Sequence, residues 1–282
     1  MTLGSRQART LAKHHGLGND FLIHFSDVVP ETAPALARSL CHRTEGIGAD
    51  GLVFGLTDGS AHQFVLFNAD GGRAEISGNG MRCFGQALAM RDSTTAASYD
   101  VLTDAGVKHV SVRLTDTPVG EVTVEMGQAH AGPVVDTAVI DAAVGAAQAD
   151  SVDMGNPHIV IAVDSPPTFD MAVVGPAIEQ AYLPTGMNVH LVAAKNDEVT
   201  MNIWERGAGA TEACGSGACA AAVVANRWGL VGDDVTVTMP GGSVGVHLVT
   251  NDGQTLARLT GPTAFVGHIE IPANVWKQAS HG

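Results

Sequence analysis

The sequence predicts an α+β protein of two pseudo-twofold-related halves, each a curved, mostly antiparallel sheet wrapped around one central buried helix. Three observations carry that prediction. Landmarks recur at a constant offset of 137 residues: Gly18-Asn19 returns as Gly155-Asn156, and Glu75-x-x-Gly78-x-Gly80 returns as Glu212-x-x-Gly215-x-Gly217. Short apolar runs are separated by turn residues at close intervals, the pattern of strands in a meander. Two longer segments, Gly80–Met90 and Gly217–Trp228, open on glycines and carry little that would favour water. A helix without a polar face is a buried helix.

The same offset places Phe64 to Asn68 over Met201 to Glu205, two apolar runs that each deliver a polar residue before a glycine-bearing turn. It also places Asp50-Gly51-Leu52 over Met187-Asn188-Val189. Ungapped agreement at four landmarks indicates two copies of one chain path, because a duplicated unit keeps its internal spacing. The halves are read as residues 1–128 and 129–282, joined through the Ala- and Val-rich stretch 129–150.

In chain order, strands are expected at Phe21–Phe25, Phe64–Phe67, Val107–Leu114 and Glu121–Glu125 in the first half. In the second they are expected at His158–Val163, Val189–Ala193, Val199–Trp204, Asp234–Met239 and Val244–Val249. Further helices are expected over Pro34–His42 and Asp170–Tyr182, each opening on a residue suited to a first turn.

Composition narrows the function. The 282 residues include 29 acidic against 15 Lys and Arg, with no basic cluster, which argues against a nucleic-acid partner. No apolar window approaches the roughly 20 residues of a membrane span, and Met1 to Gly16 lacks the apolar run of a signal peptide. A cytoplasmic protein is expected. The four cysteines, Cys41, Cys83, Cys214 and Cys219, show neither Cys-x-x-Cys nor Cys/His metal spacing, so no metal site is expected. The Gly-rich stretches lack the lysine of a phosphate loop, and the Gly-x-Ser-x-Gly nucleophile motif is read as absent.

The functional signal lies where the two buried helices begin. Ser77 precedes Gly78-Asn79-Gly80, and Cys214 precedes Gly215-Ser216-Gly217. A glycine-flanked helix start exposes backbone N–H groups in a positive field, a natural carboxylate site. The same field favours a thiolate, so Cys214 is expected to be an activated, accessible thiol. A cleft holding such a thiol beside a carboxylate cradle suits proton transfer at the α-carbon of an amino acid.

At these residues the sequence resembles the diaminopimelate epimerases. The carriers are Gly18-Asn19-Asp20-Phe21, Gly46-Ile47-Gly48-Ala49-Asp50, Asn68-Ala69-Asp70-Gly71, Gly78-Asn79-Gly80-Met81-Arg82-Cys83, Gly155-Asn156-Pro157-His158, Glu205-Arg206-Gly207-Ala208-Gly209, and Ala213-Cys214-Gly215-Ser216-Gly217. They span nearly the whole chain. The resemblance implies epimerisation of LL- to meso-2,6-diaminopimelate without pyridoxal phosphate or any other cofactor, in lysine biosynthesis. It implies two similar halves, a C-terminal strand near Phe265–Ile271 returning to the first half, and a homodimer.

Position by position, Cys214 matches one catalytic cysteine of the family, and Ser77 stands where the second would be. Glu205 and His158 match residues that tune the thiols. Asn19, Asn68, Asn156, Asn188, Glu205 and Arg206 match the substrate-holding set, and Gly78, Asn79, Gly215 and Ser216 match the carboxylate cradle. Singly, each has an ordinary alternative, an asparagine before a turn being a common cap and a strand histidine a common core residue.

Two positions depart from the family pattern: Gly51 replaces a glutamine, and Ser77 replaces a cysteine whose reference pKa is about 8.5. The alternatives this leaves open are a related racemase or dehydratase with a single thiol base, and a non-catalytic amino-acid-binding protein. The related proline racemase group carries a Gly-His-Gly cradle where this chain has Gly78-Asn79-Gly80.

Overall fold

The computed structural model describes residues 8–58 and 61–280. The expectation for the N-terminal stretch therefore falls partly outside the described residues. The chain forms two compact units, Met1–Val122 with Pro262–Gly282, and Thr123–Gly261.

The first unit contains β1 (Arg9–Gly16), β2 (Asn19–Ser26), α1 (Ala33–Cys41), β3 (Gly51–Asp58), β4 (Ala61–Asn68), the two-residue β5 (Arg73–Ala74), α2 (Gly78–Arg91), β6 (Ala96–Thr103) and β7 (Gly106–Leu114). The chain leaves this unit within β8 (Val119–Ala131). The second unit adds α3 (Thr137–Val144), β9 (Ala149–Asp153), β10 (Pro157–Ala162), α4 (Met171–Glu179), β11 (Asn188–Lys195), β12 (Glu198–Glu205), β13 (Gly209–Ala210), α5 (Gly215–Arg227), β14 (Asp234–Met239) and β15 (Gly242–Asn251). The chain returns within β16 (Gln254–Ile271), whose last residues pair with β1 from Arg9↔Ile271 to His15↔Ala264, and ends on α6 (Ala273–Ala279).

Strand pairing repeats between units. β1–β2 antiparallel, β2–β3 parallel, β3–β4 antiparallel, β4–β6 parallel and β6–β7 antiparallel correspond to β9–β10, β10–β11, β11–β12, β12–β14 and β14–β15 with the same directions. Gly18 and Gly155 both take positive φ, +87° and +96°, before the second strand of each unit, which is why that landmark is glycine in both copies.

The strands of each unit bury apolar residues on both faces. Against one face of the first lie α1 and α6, with Leu36 and Leu40 of α1 clustered on the strand residues Leu11, Leu22, Leu52 and Phe54. Against one face of the second lie α3 and α4, with Ile140, Met171 and Ile178 clustered on the strand residues Ile159, Ile161 and Val189. α2 packs on β1, β2 and β7, and α5 on β9, β10, β12 and β15. Every residue of α5 from Gly215 to Ala225 is buried, as its composition requires. α2 differs from an all-apolar helix, since Asn79, Arg82 and Gln86 are buried within it.

Several elements lie outside the expected list. β1, β3, β6, β9, α3 and α6 were not anticipated, nor were the two-residue strands β5 and β13. The stretch 129–150 is not a plain connection: it holds the end of β8 and the helix α3, whose Asp136 side chain caps it by accepting from the Ala138 N–H. Both central helices begin two residues earlier than expected, taking Gly78-Asn79 and Gly215-Ser216 into their first turns.

Candidate active site

In the first unit, Ser77 is the N-cap of α2, in extended conformation, and its hydroxyl oxygen accepts the Gly80 N–H at 3.1 Å. It is an ordinary serine cap, satisfying one of the orphan donors of the helix. Beyond it a polar chain runs inward to outward. The fully buried Arg82 donates from Nη2 to Asn79 Oδ1 at 2.9 Å. Asn79 Nδ2 donates to Asn19 Oδ1 at 3.1 Å, and Asn19 Nδ2 to Asp50 Oδ2 at 2.7 Å. Arg43 bridges Asp50 and Asp20 at 2.6 and 2.8 Å, and Lys13 pairs with Asp20 at 2.9 Å. Those cations hold the Asp20 carboxyl below its ordinary range against the opposing effect of burial.

Asn68 is exposed at the end of β4, and Asn19 is half-buried. Gly51, the departure in β3, has no room for a side chain: a Cβ there would lie 2.9 Å from Leu66 Cδ1 and 3.0 Å from the Phe67 carbonyl oxygen. The position is tight, so a glutamine there requires the Leu66 side chain to move and its other neighbours to give slightly.

In the second unit, Cys214 is the N-cap of α5 and is 3% exposed. This corrects the expectation of an accessible, low-pKa thiol. Burial pushes the Cys214 pKa well above the ordinary thiol value, and the neighbouring Glu205 carboxylate, to which the thiol donates, pushes it further. The Gly217 N–H and the Ser216 hydroxyl, 3.7 Å from the sulfur, act in the opposite sense. The helix field is present, but desolvation and a like charge outweigh it. Burial also raises Cys41 to about 12 and Cys83 to about 11.

Glu205 closes β12, and its Oε1 also accepts from Thr211 Oγ1 at 2.6 Å. Arg206 follows it, exposed, with Nη1 donating to the Thr185 carbonyl at 2.8 Å. Asn188 is buried and committed to backbone, Nδ2 donating to Pro157 O and Oδ1 accepting the Arg206 N–H, both at 3.0 Å. These bonds hold the 205–206 turn.

His158, on β10, is fully buried and lies between two partners, His190 and Asn156, each at 2.8 Å. Gly217 is required here by close approach. A Cβ would lie 2.6 Å from His190 Cε1, 2.8 Å from its Nε2 and 3.1 Å from Cys214 Sγ.

The matching family is now decisive. The chain matches diaminopimelate epimerase over residues 11–131 and 151–266, which include parts of both units and every candidate site residue named above. The chain belongs to the diaminopimelate epimerase family. It is 37% identical over 277 residues to the diaminopimelate epimerase of Desulfitobacterium hafniense, covering 91% of this chain and 95% of that one. It is 36% identical over 282 residues to that of Synechococcus elongatus, covering 93% and 98%. In fold it is similar to a phenazine biosynthesis protein of the PhzF family from Bacillus anthracis, with TM-score 0.73 and 13% identity over 94% of this chain and 99% of that one. The chain is an isomerase of this family, and among the described residues no helix is long and apolar enough to cross a membrane.

Sequence reasoning missed three supports of the site. Arg82 was detectable as the one charged residue inside a buried helix. His190 was masked by the apolar run around it, and Met239, whose sulfur accepts the Cys214 N–H at 3.4 Å, by its distance in sequence. It also passed over Gly241-Gly242-Ser243-Val244-Gly245, which does spell Gly-x-Ser-x-Gly. That match lies at the β14–β15 hairpin, with exposed Ser243 hydrogen-bonded to Thr238 across the strands, and not at a strand-to-helix turn. It carries no nucleophile.

Proposed function

We propose that the chain interconverts LL- and meso-2,6-diaminopimelate by cofactor-independent proton transfer at the α-carbon, with Cys214 serving one face and inversion slowed because Ser77 stands for the second thiol. The observation that carries this reading is the buried Cys214 thiol donating to the Glu205 carboxylate at the start of α5. A thiol kept neutral by burial becomes a strong base once its proton moves to Glu205. The thiolate then takes the α-proton, and the electron pair left behind spreads onto the substrate carboxylate. The first N–H groups of α5, at Gly215 and Ser216, are donors of the kind that stabilise such charge as it forms.

Inversion needs a proton returned to the opposite face, and the residue that corresponds to Cys214 in the repeat is Ser77, whose hydroxyl is a far weaker acid than a thiol. Asn19, Asn68, Gly78, Asn79 and Asn156 supply amide groups for the substrate's carboxylates and ammonium groups. Arg206 keeps donors beyond the one spent on Thr185, which suits a second carboxylate. A homodimeric, cytoplasmic setting is part of this proposal and rests on family resemblance alone.

The test is incubation of LL-diaminopimelate with the protein in deuterated water. Deuterium is expected at the α-carbon faster than meso product accumulates, and Cys214→Ala should abolish both. Absence of exchange, or exchange indifferent to Cys214→Ala, would sink the proposal.

A further inference from the structure

His158 and His190 form a dry pair that no part of the proposed proton transfer uses directly. They sit on neighbouring parallel strands, both 0% exposed, with ring centroids 5.1 Å apart and planes 26° from parallel. His158 Nδ1 meets His190 Nε2 at 2.8 Å, and His158 Nε2 meets Asn156 Oδ1 at 2.8 Å. His190 Nδ1 is buried without a hydrogen-bond partner.

Only one arrangement of protons satisfies these contacts. Burial holds both rings neutral, with His190 lowered to about 3 and His158 well below its ordinary value, helped by the nearby Arg206 charge. A neutral imidazole has one N–H and one bare nitrogen. If His158 carried its proton on Nδ1, its bare Nε2 would face the carbonyl oxygen of Asn156, and His190 would bury an unsatisfied N–H. With the proton on His190 Nε2, that N–H donates to His158 Nδ1, and His158 Nε2–H donates to Asn156 Oδ1. The only unmatched atom is then a bare ring nitrogen, His190 Nδ1.

The fold does not need this pair. At the corresponding positions of the first unit, 137 residues earlier, stand Phe21 and Val53, both buried. The second unit instead accepts two desolvated imidazoles and a glycine at 217 to make room for one of them. Its polar chain ends on Asn156, half-buried in the turn after Gly155.

We infer that His190 is a positioning residue: it locks His158 as the Nε2–H tautomer, and His158 in turn fixes the Asn156 amide with its oxygen occupied and its NH2 as the group offered to ligand. The site thereby presents a donor, matched to a substrate carboxylate, where a freely rotating amide could equally present an acceptor to an ammonium group. This rests on the proposed epimerase reading for its substrate, though the tautomer itself does not.

The experiment has two arms. Nitrogen-15 correlation spectra of the ligand-free protein should show His158 protonated at Nε2 and not titrating between about pH 5 and 8, where an ordinary imidazole does. A proton on Nδ1, or titration near the ordinary value, overturns the inference whatever the enzyme does. In the second arm, His190→Val, which restores the apolar residue of the first unit, should release His158 from the single tautomer and raise KM for diaminopimelate about tenfold, with kcat changed less than about threefold. His190→Gln, which keeps an N–H donor, should recover most of the KM. If His190→Val leaves tautomer and KM unchanged, or if the Gln variant is no better than Val, His190 is a packing residue and the inference fails. Failure of the epimerase reading shows separately, as loss of isotope exchange in the unmodified chain with the tautomer intact.

Discussion

At the start of α2 a serine oxygen accepts the Gly80 amide and completes a helix cap, whereas at the start of α5 a buried, neutral thiol donates a hydrogen bond to Glu205 and makes no comparable cap. The strands beneath the two helices pair in the same order and direction, so the backbone is common and the chemistry is local. Glu205 has neutral, exposed Asn68 as its counterpart, and the His158–His190 pair has Phe21 and Val53. The first half-site is built around an amide and carboxylate network that ends on buried Arg82. The second is built to hold a thiol neutral beside a carboxylate. One fold unit duplicated in a chain can thus keep a helix-end cradle twice while placing a thiol–carboxylate pair in only one copy.

The largest expected effect comes from making the two copies alike at the N-cap of their central helices. Ser77→Cys should raise the rate of stereochemical inversion by about 10²–10⁴, the usual contribution of one general acid–base group. Deuterium exchange at the Cys214 face should change much less. The check is circular dichroism of diaminopimelate conversion alongside mass spectrometry of exchange. Equal rates of inversion in both proteins would mean that Ser77 is not the weak partner.

A smaller effect tests the other copy. Glu205→Gln removes the carboxylate that raises the Cys214 pKa, so the thiol titration should move toward lower pH, while the desolvation contribution remains. Because the pKa is raised in the folded state, the thiol leaves stability at its full value below the unfolded pKa, and folding is penalised once the unfolded thiol ionises while the folded one does not. That penalty on ionisation sets in above the unfolded value of about 8.5 and should shrink in the variant. Ultraviolet titration of the thiolate, with Cys41, Cys83 and Cys219 replaced, reads the shift directly. A move toward higher pH would show that Glu205 stabilises the thiolate through some other contact.

Much of this was legible in the sequence, for identifiable reasons. The 137-residue repeat and the Gly-x-Gly helix starts are patterns of spacing, which survive without coordinates, and they located Ser77 and Cys214 at equivalent helix ends. β6 was missed because its run Ala-Ala-Ser-Tyr-Asp-Val-Leu-Thr alternates small and polar residues, although its burial alternates as a half-buried strand should. β1 was missed because two histidines and a lysine interrupt it, with His14 buried against Gln86. The state of Cys214 was misjudged because a helix N-terminus is visible in a sequence, whereas 3% exposure and the approach of Glu205 across a turn are not. Arg82 and His190 were missed for a related reason: a buried polar group announces its partners only once they are assembled.

The smallest expected effect separates what Ser77 does for the fold from what it fails to do for the reaction. Its hydroxyl oxygen accepts the Gly80 N–H at 3.1 Å from extended backbone, the geometry of an effective cap. Sulfur is a weak acceptor, and alanine has none, so both substitutions leave that N–H less well satisfied. Ser77→Ala should therefore lower stability by about 1 kcal/mol, the usual worth of a serine cap. Ser77→Cys should lose a part of the same amount, since it keeps a poorer acceptor of similar shape. The residue that best finishes the helix is then the worst proton donor, and the cysteine variant should be at once faster in inversion and slightly less stable. Chemical denaturation of the three proteins decides it: the expected order is Ser, then Cys, then Ala, with unchanged slopes against denaturant. If the cysteine variant is the most stable of the three, the Ser77 cap contributes nothing at this helix end, and its presence has no stabilising role to set against the lost acidity.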